Sequence, residues 1–203
     1  MRAWCAILCV GLLVAGANLA AQAAAAPPFT DADAERFSQK IAGLVRNGAS
    51  PAASRPPVAI TVTEPEVNAY LHYRARPQLP AGVIDPAVSA LGGGRISASA
   101  TVDLDAVRLS KPRSWFDPMR LLRGRLPVDV RGVLRTSAGE ARLEIEWARV
   151  NGVSIPKVVL QELVTFYTKG ESYPNGIDLD APFALPLGIR DITVLAGRAT
   201  ITQ

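Results

Sequence analysis

The chain has 203 residues, with 22 Lys and Arg against 18 Asp and Glu, and is 49% hydrophobic but only 6% aromatic. Two cysteines and one histidine are too few for a usual zinc site or a disulfide framework. No phosphate-binding glycine loop, dinucleotide fingerprint or Gly-x-Ser-x-Gly elbow occurs, and the length suffices for one domain with its own core.

Met1-Arg2, an apolar run from Ala3 to Ala17 and an alanine-rich tract to Ala26 predict a secretory signal peptide over residues 1–26. An uncleaved anchor is the alternative, because the run approaches spanning length. The expected location is periplasmic or otherwise exported. Cys5 and Cys9 both lie inside this segment, so the mature chain has no thiol and must stand on a hydrophobic core. Leu8 directly before Cys9 is a poor lipidation signal. Loss of Arg2 lowers the formal charge of +4 by one.

Residues 27–57 read as an N-terminal helix and linker. Thr30 and Asp33 have capping-box spacing. Phe37, Ile41, Leu44 and Val45 form one apolar stripe of an amphipathic helix over 31–47, stopped by Asn47-Gly48.

Residues 58–203 read as a single α+β domain. A strand at 58–62 leads into a short helix capped by Thr63, with Pro65 in its first turn and Glu66 at the capping-box position. Ile96, Ala98, Ala100, Val102 and Leu104 alternate with polar residues as a half-buried strand, and the two alanines leave room for a helix or a ligand. Residues 112–125 interrupt the pattern. A strand at 128–136 follows. Ala141, Leu143, Ile145 and Trp147 then turn inward, while Glu140, Arg142, Glu144 and Glu146 meet solvent. Asn151-Gly152 marks a tight turn. Residues 157–167 form a helix apolar over most of its circumference, which predicts burial. A hairpin around Ala196-Gly197 closes the chain. Runs of strands with few helices predict an antiparallel sheet, with the 31–47 and 157–167 helices available to cover it.

Catalytic vocabulary is thin. His72 lacks neighbours in sequence that make a metal site. Asp103 and Asp105, and Asp178 and Asp180, lack the glycine and distal Glu of an EF-hand loop. Ser154 and Lys157 have Ser-x-x-Lys spacing, yet Pro156 between them reads better as a first-turn proline. No catalytic residue, metal or cofactor is expected. The basic stretch from Arg108 to Arg135 holds Trp115, Phe116, Arg120, Leu121, Leu122, Arg123 and Arg125. Its apolar groups suit a membrane interface with arginines at lipid phosphates; the alternative is that they pack under the sheet. Export disfavours nucleic acid as a partner.

Three segments carry a resemblance. Glu66-Val67-Asn68-Ala69-Tyr70-Leu71 resembles a Glu-x-Asn-x-x-Leu helix. Val150-Asn151-Gly152-Val153-Ser154-Ile155-Pro156 with Leu160 and Leu163 resembles a turn leading into an apolar helix. Leu185-Pro186-Leu187-Gly188-Ile189-Arg190-Asp191-Ile192-Thr193-Val194 with Gly197, Ala199 and Ile201 resembles a closing hairpin. Together they resemble the LmeA-like phospholipid-binding proteins of bacterial envelopes over roughly 58–203. That family is related to tubular lipid-binding domains, so the resemblance implies a strongly curved antiparallel sheet around or on a buried apolar helix. It offers no catalytic residues.

The expectation is an exported, non-enzymatic protein binding phospholipid or another acyl-chain ligand. Ala98, Ala100, Val102, Leu160, Leu163, Val164 and Tyr167 would line the groove. Trp115, Phe116, Arg120, Leu121, Arg123 and Arg125 would meet headgroups or a membrane surface. An envelope interaction module with a filled core and a basic docking face is the alternative.

Overall fold

Both capping boxes form in the computed structural model, which describes residues 28–50, 56–79, 81–109, 124–168, 175–176 and 178–203. Residues 1–26, expected to be a signal peptide, lie outside the described residues. Helix α1 (Asp31–Ala49) starts where the Thr30 amide and hydroxyl both donate to Asp33 Oδ2 at 2.7 Å. Strand β1 (Ala59–Thr63) runs directly into helix α2 (Glu64–Tyr73), where the Thr63 amide donates to Glu66 Oε2 at 2.9 Å. Each box satisfies donors that a helix start otherwise leaves open. The α1 stripe buries Leu44 and half-buries Phe37 and Ile41, with the Phe37 and Tyr70 rings 5.1 Å apart.

Glu66 joins the two helices. It is 4% exposed, and Lys40 Nζ lies 2.7 Å from both of its carboxylate oxygens. Burial pushes the carboxyl up, but hydrogen bonds from Lys40 and the Thr63 amide, with the Lys40 charge, outweigh it and hold the pKa below its ordinary 4.5. A carboxyl depressed on folding contributes stability above its unfolded pKa and loses it as pH falls through the folded value. Urea unfolding is therefore expected to weaken below about pH 4.5, with a smaller decline in Glu66→Gln. Equal declines in both proteins would assign the effect to other groups.

Strands β2 (Val83–Gly92), β3 (Arg95–Asp103), β4 (Arg125–Ser137), β5 (Glu140–Val150) and β6 (Val153–Ile155) form an antiparallel meander in that order. Helix α3 (Leu104–Leu109) leaves β3, and helix α4 (Lys157–Thr168) follows β6. Strand β7 (Phe183–Ala184) is the sixth strand, pairing with the opposite end of β5 from β6. Strands β8 (Asp191–Leu195) and β9 (Arg198–Thr202) build a second sheet with β1, in the order β1-β9-β8. Its inner face carries Ile60, Val62, Ile192, Val194, Ala199 and Ile201, with Val62 and Val194 buried. The fold is thus α+β with two antiparallel sheets.

Helix α2 lies along the free edge of β2 and satisfies its backbone. Asn68 donates to the Val88 carbonyl at 2.9 Å and accepts from the Val88 amide at 2.8 Å, as a paired strand would. Glu64 accepts from the Ala90 amide and the Ser89 hydroxyl. The two polar positions of the Glu-x-Asn segment therefore tie α2 to α1 and to the sheet. Asn68→Ala strands two backbone groups and is expected to cost about 2 kcal/mol, with new concentration-dependent association at the bared edge. Urea unfolding and sedimentation check it; an unchanged midpoint would contradict it.

Three expectations change. Helix α1 packs on α2, β1 and the Pro186–Gly188 turn, and so does not cover the larger sheet. Helix α4 packs beside β5 but leaves Val158 74% and Val159 47% exposed, so its apolar circumference is not enclosed. A β-bulge opposite Arg131 and Gly132 turns Trp147 onto the polar face, paired with Arg131 rather than with Leu143 and Ile145.

Candidate functional site

Directly paired residues in antiparallel strands share a face. The register therefore assembles one apolar surface across the larger sheet. Val88, Ala98, Val130 and Ala148 form one row across β2 to β5, and Ile155 of β6 extends it. Ala100, Val128, Val150 and Val153 form the next, and Val102 with Leu126 a third. The pattern is that of a face made for burial. Yet only the small residues Ala141, Ala148 and Gly132 are buried on it. Val88, Val128, Val130, Leu134, Leu143, Ile145 and Val150 are half-buried, and Ala98 is exposed. Val153 at the edge is 68% exposed, and Phe183 on β7 is also open.

Ala100 and Val102 are half-buried beside Ala98 on β3. Leu160 and Val164 are half-buried on one side of α4, and the side chains of Leu163 and Tyr167 lie outside the described ones. The structure does not close α4 and β3 into one groove: α4 adjoins β5, and β4 stands between β5 and β3. Two concavities, of about 170 and 190 Å³, touch neither Leu160 nor Val164. Both fall below the ~300 Å³ at which sites for drug-sized ligands begin. The apolar feature is a continuous face rather than a chamber.

Trp115, Phe116, Arg120, Leu121 and Arg123 lie outside the described residues. Arg125 opens β4 and pairs with Asp103 at 3.3 Å. Asp103 also accepts from the Asp105 and Ala106 amides, both at 3.1 Å, and so caps α3. The Ala106 amide bond is the main reason its carboxyl sits below the ordinary range; burial opposes this and Arg125 adds to it. The Leu104 amide donates to the Gly124 carbonyl at 3.0 Å, so residues 104 and 124 close together at the β3–β4 end of the apolar face.

Asp178 accepts from the Asp180 amide at 2.9 Å, and Asp180 in turn pairs with Lys157. Ser154 lies exposed on β6 and shares no hydrogen bond with Lys157 among the described residues. His72 packs against Phe29 and Tyr73, with ring centroids 5.7 and 4.7 Å away. Among the described residues no three His, Cys, Asp or Glu side chains converge, and no helix is long and apolar enough to cross a membrane. Periodicity alone missed Val88, Val130 and Val153 as members of one surface, because it assigns a face within a strand and not the register between strands.

No family model and no curated protein matches the chain. A solved structure of a lipopolysaccharide binding protein aligns with 72% of this chain and 40% of its own, at 15% identity and a TM-score of 0.22. This chain thus matches less than half the length of that structure. A TM-score this low does not define a shared fold, so the LmeA-like resemblance rests on the quoted motifs.

Proposed function

We propose that the mature chain is an exported, non-enzymatic lipid-binding or lipid-handling protein of the bacterial cell envelope. An acyl chain lies along the apolar face of the larger sheet, over Ala98, Ala100 and Val102 of β3, with α4, through Leu160 and Val164, at its β5 side.

One observation carries this reading: a face that is apolar except for Thr136, at the end that meets β8, and in which no large side chain is fully buried. An apolar patch left open in a folded chain marks an interaction surface. Each methylene buried against it contributes about 0.8 kcal/mol. The segment with Trp115, Phe116, Arg120, Leu121 and Arg123 leaves and rejoins the sheet at the end of this face, a suitable place for headgroup contact. Lys157 held by Asp180 supports the non-enzymatic reading, and a fluorophosphonate probe is expected to leave Ser154 unlabelled.

Titration with a fluorescent fatty acid tests the binding. Saturable uptake, reversed by competing phospholipid, is expected. No saturable uptake by folded protein would overturn the proposal.

A further inference from the structure

The polar side of the larger sheet holds the concavity of about 170 Å³. Its lining includes Ala87, Ser97, Ser99, Asp129, Arg131 and Trp147, and it also touches Ala98 and Val130, whose side chains alternate to the other face. The register places them together: Ala87, Ser99 and Asp129 form one row, and Ser97, Arg131 and Trp147 the next. Small side chains on β2 and β3 beside large ones on β4 and β5 make the hollow. The β-bulge at Gly132 supplies one wall by turning Trp147 to this side.

Three features of the hollow lack partners of their own. The Arg131 side chain forms no hydrogen bond or ion pair among the described residues; its Nε is buried, so the terminal nitrogens are the donors a ligand in the hollow would meet. Guanidinium donors are matched to oxyanions. The Arg131 guanidinium lies 5.5 Å from the centre of the Trp147 ring, and that of Arg149 lies 4.5 Å from it, so the ring holds both in place. The Asp129 carboxylate, two residues along the same strand face, forms no ion pair or hydrogen bond among the described residues. The hydroxyls of Ser97 and Ser99 are equally unengaged there.

The geometry points to a binding site for a small water-soluble zwitterion, an oxyanion and an ammonium group on one short carbon frame. Arg131 donates to the oxyanion, Asp129 accepts from the ammonium, and the serine hydroxyls fill the remaining positions. A simple anion would meet the Asp129 charge, and a simple cation would meet Arg131 and Arg149. Side chains two apart on a strand stand about 7 Å apart at Cα, which suits charges separated by a few bonds. The volume is that of roughly six waters, enough for an amino acid or an aminoalkyl phosphate. The sheet separates this hollow from the apolar face, so the headgroup of a lipid held there does not reach it. The inference therefore stands independently of acyl-chain binding.

Isothermal titration calorimetry with O-phosphoethanolamine tests it, with inorganic phosphate, ethylamine and phosphatidylethanolamine vesicles as separate arms. Saturable binding of the zwitterion at millimolar concentration is expected, with phosphate and ethylamine each at least about tenfold weaker. Asp129→Asn and Arg131→Gln are each expected to weaken it about tenfold or more, and Glu144→Gln, on the same face outside the hollow, to leave it unchanged. If Arg131→Gln does not fold, Asp129→Asn decides. Phosphate binding as tightly as the zwitterion, indifference to Asp129→Asn, a response to vesicles alone, or no saturation would each overturn the proposal.

Discussion

A glutamate at position 98 is expected to weaken acyl-chain binding at least about a hundredfold, which is nearly 3 kcal/mol, while moving the urea midpoint little. Ala98 is exposed, so the longer side chain has solvent to enter in the free protein. Its cross-strand neighbours are Val88 and Val130, both apolar and half-buried. An acyl chain laid over this row would strip water from the new carboxylate and offer it no partner, at a cost of several kcal/mol. The same substitution on a face that binds nothing changes neither property. Fatty-acid titration and urea unfolding on the same preparation separate the two outcomes. Unchanged affinity in a folded variant would place the ligand elsewhere.

Gly132→Ala is expected to cost about 2–3 kcal/mol. Gly132 is buried at the bulge between β4 and β5. A Cβ there would come within 2.7 Å of the Glu144 carbonyl oxygen and 3.2 Å of Leu143 Cδ1. The nearest atom is backbone, so strand β5 itself must shift. The bulge also sets the side on which Trp147 stands, so the variant is expected to change tryptophan fluorescence as well as the unfolding midpoint. A midpoint within ~0.5 kcal/mol of the parent would show that the strands can separate at no cost there.

The local half of this fold was legible because it depends on neighbours in sequence. Thr30 with Asp33 and Thr63 with Glu66 each complete a capping box within one turn, and both form. Asn151-Gly152 forms its turn with both φ angles positive, at 51° and 77°. The alternation at 96–104 gave a strand from Arg95 to Asp103. The long-range half was not legible. Strand β1 pairs with β9 across most of the chain, Val62 against Ala199, and no local pattern encodes that partner.

Two further misreadings have particular causes. Strict alternation put Trp147 with Ile145, but the extra residue of the bulge inverts the order beyond it. The apolar circumference of α4 implied burial, yet composition does not say what covers a helix. Here it follows a three-residue edge strand and packs beside β5, which leaves Val158 and Val159 open. The candidate site was legible in part for the same reason. Ala98, Ala100 and Val102 fell on one face by alternation, whereas their union with Val130, Val150 and Val153 needed the register.

An acyl chain held on the open face of the larger sheet adds a defined mass to the protein. Native mass spectrometry of protein purified without detergent reads it. The parent protein is expected to carry added mass that leaves on solvent denaturation and fragments as an acyl lipid, and Ala98→Glu to fly as bare polypeptide. Parent protein that is folded yet carries no lipid, even after incubation with phospholipid vesicles, would rule out acyl-chain binding on this face.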